Sequence, residues 1–300
     1  MKTMIKLPLI LICLYSLPAY SVDVEGFSPD RRITYKTVGE TELKLHVFTP
    51  SNDELSANRA AMVFFFGGGW NSGSPSQFYP HCSYLASRGM VCMAAEYRVK
   101  DRNNTSPREA VMDGKSAIRW VRLHASELGI DPERIAAGGG SAGGHVAAAA
   151  GTTRGFDDEN EELGVSSLPN ALVLFNPVFD NGPRGYGHDL VKEYWKKISP
   201  LHNIDADAPP TVVFLGTEDD LVPVATAEKY KALMESYGVR CDLHLYPGQP
   251  HGFFNFNKPE DYARTVSQMD RFLASLNYLE GGPGLPADAG STGDAPKSDQ

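Results

Sequence analysis

Three hundred residues, 42% of them hydrophobic and 22% charged, suffice for one sizeable α/β domain and leave little room for a second. A formal charge of -9 argues against nucleic acid or an anionic membrane as partner, since either would need a basic face. A small-molecule or polysaccharide substrate whose charge, if any, is handled locally fits that balance better.

In chain order, Lys2 and Lys6 precede an apolar stretch, 7–17, and Ala19 and Ser21 put small residues at the two positions a signal peptidase reads. Residues 1–21 are therefore expected to be a signal peptide cleaved after Ser21, and the mature chain to be exported to the periplasm or the medium. The stretch falls short of the roughly 20 apolar residues a membrane span needs, so no stable membrane anchor is expected. Cys82, Cys92 and Cys241 follow the leader, an odd number without metal-ligand spacing; at most one disulfide can form, and neither a metal nor another cofactor is called for.

The segments 33–39 and 42–49 have the pattern of two opening strands, the second alternating Leu43, Leu45 and Val47 with polar residues. The apolar run 60–66 is a strand covered on both faces, and it opens directly into Gly67-Gly68-Gly69-Trp70. A helix near 77–88, a buried strand at 90–97 and a helix over 106–128 ended by Gly129 come next. After them, the apolar run 135–137 leads through three glycines and Ser141 into an alanine-rich helix, 142–150. Strands at 171–178 and 211–215, a helix at 224–237, a strand at 242–246 and a helix at 260–279 complete residues 22–280, the expected α/β domain. Residues 281–300, rich in Gly, Pro, Ala, Ser and Asp, bury too little to offset their ordering entropy and are expected to be a disordered tail. Strands alternating with helices imply a mainly parallel, eight-stranded sheet with helices on both faces. Right-handed crossovers then gather the loops after the strands at one edge, where ligands of such sheets bind.

The chemistry lies in those loops. Gly139, Ser141 and Gly143 fit G-x-S-x-G at a strand-to-helix corner, the nucleophile-elbow pattern; the other readings are a phosphate-cradling turn or a turn with no function. A serine hydroxyl needs a base within hydrogen-bond reach, and the base needs an acid to fix its tautomer. His251 is the one histidine in a glycine- and proline-punctuated loop past the last strand, whereas His46, His124 and His244 fall within expected elements and His145 on the helix behind the serine, where it braces the core. For the acid, the loop after 211–215 offers Glu218, Asp219 and Asp220; Asp219 is the first choice and Asp220 the second. Backbone amides of Gly68 and Gly69, joined by that of Ala142, can stabilise a developing oxyanion, and the glycine triplet lacks the Lys and Ser/Thr of a phosphate loop. Between 178 and 200 lies an irregular aromatic segment with Phe179 and Tyr186, read as a short cap or cleft wall, with Trp70 as a further wall suited to sugar rings or aryl esters.

With these motifs in place, the chain from about Thr41 to Leu279 resembles the α/β-hydrolase esterases of the hormone-sensitive-lipase-like and bifunctional feruloyl/acetylxylan esterase-like groups. The resemblance rests on Gly67-Gly68-Gly69-Trp70, Glu96-Tyr97-Arg98, Gly139 to Gly144, Gly216 to Asp219 with Val222-Pro223, and His251-Gly252-Phe253. It implies Ser141 as nucleophile, Asp219 as orienting acid, His251 as base and the amides of Gly68, Gly69 and Ala142 as oxyanion hole. Two positions depart from the pattern. Phe66 stands where a histidine usually braces the glycine triplet, so packing is expected to hold that loop, and Gly140 replaces an acidic residue before the nucleophile. The expected function is an exported serine esterase removing small acyl groups, acetyl foremost, from carbohydrate or related esters. A lipase-like esterase of broader acyl range, a peptidase on the same fold and a non-enzymatic binding module are the alternatives.

Overall fold

A computed structural model describes residues 26–51 and 58–284; the expected signal peptide and residues 285–300 of the expected tail lie outside the described residues. Eight strands, β1 Arg31–Val38, β2 Thr41–Phe48, β3 Arg59–Phe65, β4 Val91–Ala95, β5 Ile130–Gly140, β6 Ala171–Phe175, β7 Thr211–Gly216 and β8 Cys241–Tyr246, form one sheet. Their order is β1-β2-β4-β3-β5-β6-β7-β8, with β2 antiparallel to both its neighbours and all later pairs parallel. The mainly parallel sheet expected from the alternation of elements is therefore present. The exchange of β3 and β4 in the order is not written in either strand's own pattern.

The continuous apolar runs have the cause inferred for them. In β3, Ala61, Val63 and Phe65 belong to one core cluster while Ala60, Met62 and Phe64 belong to another; β6 and β7 divide in the same alternating way. Successive side chains point to opposite faces, so a strand buried on both sides has no polar position to spare. Helices Pro107–Leu123, Ala142–Thr152 and Val224–Ser236 cover the first face, and Tyr79–Ser87 and Pro259–Ser275 the second. Each fully buried aliphatic or aromatic side chain contributes about 2 kcal/mol to holding these layers together.

Two helices are shorter than their patterns predict. The 106–128 pattern starts on a capping box formed by Ser106 and Glu109 but breaks at His124, whose backbone leaves the helical region, and resumes as Ala125–Leu128 before Gly129 at φ 67°. The last helix stops at Ser275 because Asn277 adopts φ 63°, and Tyr278 and Leu279 then fold back into the core as turn residues. Cys82, Cys92 and Cys241 are all buried and free.

A histidine in the second core layer makes the fold sensitive to acid. His81 is fully buried among Phe64, Phe78, Phe175, Phe254 and Tyr262, and neither ring nitrogen has a partner among the described residues. Burial penalises the imidazolium and pushes its pKa from 6.5 down to about 3. The unfolded chain takes up that proton near pH 6.5 and the folded chain refuses it, so stability is full above that pH and drains away as pH falls toward 3. At about pH 5 the loss from this one group is about 2 kcal/mol. His81→Phe is expected to remove that part of the loss, measured as the difference between urea unfolding free energies at about pH 7 and about pH 5. Because the comparison is between two pH values of one variant, any packing cost of the phenyl ring cancels. An equal acid loss in parent and variant would rule out His81 as its source.

Candidate active site

Ser141 stands between the end of β5 and the first residue of the helix Ala142–Thr152, at φ 54° and ψ −120°. A side chain held there costs on the order of 1–3 kcal/mol, so the surroundings must impose it. They do so through its backbone: Ser141 N–H donates to Phe175 O at 3.0 Å, and Ser141 O accepts from His145 N at 3.0 Å and Val178 N at 3.3 Å. The flanking glycines are required by contact. A Cβ on Gly139 would lie 2.5 Å from Phe65 O, and one on Gly143 2.1 Å from the same oxygen. Gly140 has a reason of its own, since a Cβ there would come within 2.4 Å of the Phe254 ring, which stacks on Phe78 and Phe175. The acidic residue missing at that position has been displaced by an aromatic core.

From Ser141 a continuous hydrogen-bonded line leads into the protein. Its Oγ lies 2.9 Å from His251 Nε2, and His251 Nδ1 lies 2.8 Å from Asp219 Oδ2. The carboxylate accepts, so the imidazole proton sits on Nδ1 and the lone pair on Nε2 faces the hydroxyl. Asp219 is held by Leu221 N–H and Val222 N–H, which donate to Oδ1 at 2.9 and 2.8 Å. Its side chain is fully buried and in contact with His251, whereas Glu218 and Asp220 are exposed. The loops at 141, 219 and 251 thus meet at the C-terminal edge of β5, β7 and β8, as the crossover rule requires.

Asn176 belongs to this group and had not been picked out in the sequence. It follows β6 at φ 33°, fully buried, a backbone setting that asparagine tolerates better than most residues. Its Oδ1 accepts from Gly252 N at 3.0 Å, which turns Nδ2 toward His251 Nε2 at 3.3 Å. Asn176-Pro177 directly after a buried strand was the available signal.

The glycine loop runs against Ser141: a Cβ on Gly67 would lie 3.4 Å from Ser141 Cβ. Gly68 and Gly69 adopt φ 127° and 63°, and Trp70 follows at φ 60°, in a tight turn closed by Asn71 N–H donating to Gly68 O at 3.0 Å. Ala142 opens a helix, where an amide has no partner in its own helix and the helix dipole favours negative charge. Packing alone does not hold this loop, contrary to the expectation from Phe66. Phe66 does stack on Tyr97 with ring centroids 4.2 Å apart, but the Phe66–Gly67 peptide is also clamped by hydrogen bonds at both ends. Tyr97 Oη donates to Phe66 O at 2.6 Å, and Gly67 N–H donates to Gln77 Oε1 at 2.7 Å.

Of the three expected cleft residues, only Tyr186 stands at the site. Half-buried, it places its hydroxyl 3.1 Å from where a Cβ on Gly69 would be. Phe179 is fully buried and stacks on Tyr230 at 3.9 Å, in the core rather than the cleft, because the helix Val224–Ser236 presents the Tyr230 ring to it. Trp70 is 2% exposed, with His145 against it edge-on, Tyr186 beside it and Gly187 over it, so it braces the loop and offers no open face to a sugar. His145 is the structural residue it was read to be: its Nε2 pairs with Asn181 Oδ1 at 2.9 Å, and Asn181 Nδ2 donates to Tyr186 O. The segment between β6 and β7 carries the short helices His188–Val191, Trp195–Ile198 and Pro200–His202. Among the described residues no group of His, Cys, Asp or Glu is arranged to hold a metal ion, and no helix is long and apolar enough to cross a membrane.

Comparisons with known proteins agree with this geometry. Residues 45–176 match the BD-FAE family model and residues 185–279 that of the dienelactone hydrolase family. The solved esterase 2 of the planctomycete Thermogutta terrifontis with propionate bound is 43% identical, with a TM-score of 0.79, over 84% of this chain and 96% of that one. The same esterase has also been solved with butyrate bound and phosphorylated by paraoxon. The probable carboxylic ester hydrolase LipM of Mycobacterium tuberculosis is 31% identical over 83% of this chain. An acetylxylan esterase of Xylanibacter ruminicola is 25% identical over 86% of it. These matches span only 62% of LipM and 52% of the xylan esterase, so the chain covers part of the length of these curated relatives.

Proposed function

The chain belongs to the α/β-hydrolase serine esterases of hormone-sensitive-lipase-like type, and from that premise we propose that it hydrolyses carboxylic esters with a small acyl group, acetyl foremost, on a carbohydrate or related alcohol. The observation that carries the reaction is the line from Ser141 Oγ through His251 to the buried Asp219. Ser141 Oγ attacks the ester carbonyl carbon as its proton passes to His251 Nε2, and Asp219 stabilises the imidazolium that results. The carbonyl oxygen, now negative, is received by the amides of Gly68, Gly69 and Ala142, each worth about 3 kcal/mol. As the tetrahedral species collapses, the C–O bond to the alcohol breaks and His251 returns the proton to the leaving oxygen. Water, deprotonated by the same imidazole, then attacks the acyl carbon, and as the acyl C–Oγ bond breaks His251 returns the proton to Ser141 Oγ and the acid leaves.

Support for a small acyl group comes from Tyr186, which crowds Gly69, and from the propionate and butyrate bound in the Thermogutta esterase. The carbohydrate alcohol is supported by likeness to the acetylxylan esterase. Acetyl and butyryl p-nitrophenyl esters are expected to exceed octanoyl and dodecanoyl esters in kcat/KM by about tenfold or more, with acetate released from acetylated xylan. A preference for the long chains with no acetate from xylan would replace this reading with the lipase-like one. Export completes the proposal: protein recovered from periplasm or medium is expected to begin at Val22, and a cytosolic chain beginning at Met1 would contradict it.

A further inference from the structure

We propose that Gln77 and Asn255 are a positioning pair that ties the oxyanion loop to the His251 loop, fixing the two halves of the reacting geometry to each other without touching substrate. The pair rests on the esterase reading above. Gly67 N–H donates to Gln77 Oε1 at 2.7 Å, Gln77 Nε2 donates to Asn255 Oδ1 at 2.9 Å, and Asn255 Nδ2 donates to Gly252 O at 2.7 Å. This chain begins on a backbone donor and ends on a backbone acceptor. Each amide can therefore stand only one way round, and a carboxylate at either position could not continue the line.

The peptides it joins are the ones that matter. The Phe66–Gly67 peptide is held at its other end by the Tyr97 hydroxyl, and it leads directly into Gly68 and Gly69. Gly252, next to the base, gives its N–H to Asn176. Two loops rich in glycine, far apart in sequence, are thus each pinned to the sheet edge, and Gln77–Asn255 is the side-chain bridge spanning 178 positions that pins them to one another. Gln77 also performs from outside the triplet the bracing that Phe66 cannot. An error of about 1 Å in the separation of base and oxyanion donors costs on the order of 100-fold in rate, so the bridge should be felt in turnover more than in binding.

The test measures kcat, KM and thermal midpoint for Gln77→Leu, Asn255→Leu, the double variant and Gln77→Glu, with p-nitrophenyl acetate as substrate. Each single variant is expected to lose about 10- to 100-fold in kcat with KM within about threefold of the parent. Cutting one chain twice does no more harm than cutting it once, so the double variant should match the worse single. Gln77→Glu keeps an acceptor for Gly67 but sets a carboxylate oxygen against Asn255 Oδ1, and it should be impaired too; being of the same shape, it carries the test if the leucine variants fail to fold. Full activity of Gln77→Glu, additive losses in the double variant, or lower thermal midpoints with kcat intact would each overturn the proposal. A parent without ester hydrolysis would overturn the reading beneath it, whereas an active parent with unaffected variants would overturn the pair alone.

Discussion

Replacing Ser141 by glycine or by alanine is expected to lower kcat by about a million-fold in both cases, yet to leave the glycine variant the more stable of the two by about 1 kcal/mol. Both substitutions remove the nucleophile and its hydrogen bond to His251, so those losses cancel in the comparison. What differs is the backbone. At φ 54° and ψ −120° alanine keeps the strain of a Cβ at the corner, on the order of 2 kcal/mol, while glycine relieves it and gives back about 1 kcal/mol in unfolded-state entropy. In helices and strands the order runs the other way, with alanine ahead. The sign is therefore diagnostic, and urea unfolding of the two purified variants reads it. Alanine proving the more stable would mean that the corner stores less strain than the roughly 1 kcal/mol of entropy that glycine gives back.

Asp219→Asn is the second large effect, expected to lower kcat about 10,000-fold with the fold intact. Asparagine can still accept from Leu221 N–H and Val222 N–H through its carbonyl oxygen, so the loop keeps its anchor. Its amide then faces His251 Nδ1 as a donor, which forces the imidazole proton onto Nε2, where it confronts the serine hydroxyl. An imidazole in that tautomer has no lone pair for the Ser141 proton. Steady-state kinetics with p-nitrophenyl acetate measures the loss, and a variant within about tenfold of the parent would show that Asp219 does not set the tautomer.

Much of this site could be seen in the sequence because its parts are local and chemically unlike their neighbours. Gly139-Gly140-Ser141-Ala142-Gly143 has to turn within one residue between a buried strand and a buried helix, and only glycine escapes the Phe65 carbonyl there. Asp219 and His251 follow strands whose apolar runs mark them as central, so their loops fall at the ligand-binding edge by topology alone. The strand alternation likewise gave the sheet and its two helix layers. Relations between distant segments were not legible. Nothing in β3 or β4 says which lies beside β2, since both are apolar along their buried length. Gln77 and Asn255 look like ordinary polar residues until folding sets one against the other, and Asn176 acquires meaning only from Gly252 and His251. Phe179 and Trp70 were assigned to the cleft from their aromaticity, but ring size favours burial as readily as ligand contact, and here Tyr230 and His145 claimed those rings for the core. Gly140 departs from the pattern for a reason equally remote in sequence, since the Phe254 ring occupies its side-chain space.

Folding sets the Ser141 hydroxyl 2.9 Å from His251 Nε2 and brings the Gly67 backbone against Ser141, and reaction with a neutral organophosphate such as paraoxon tests the proposed nucleophile and base together. Peptide mass spectrometry after that reaction should find one diethylphosphoryl group, on Ser141, with labelling abolished in His251→Ala and loss of ester hydrolysis in proportion to labelling. Hydrolysis that persists in fully labelled protein, or a label on any residue other than Ser141, would contradict the assignment of this corner as the reacting centre.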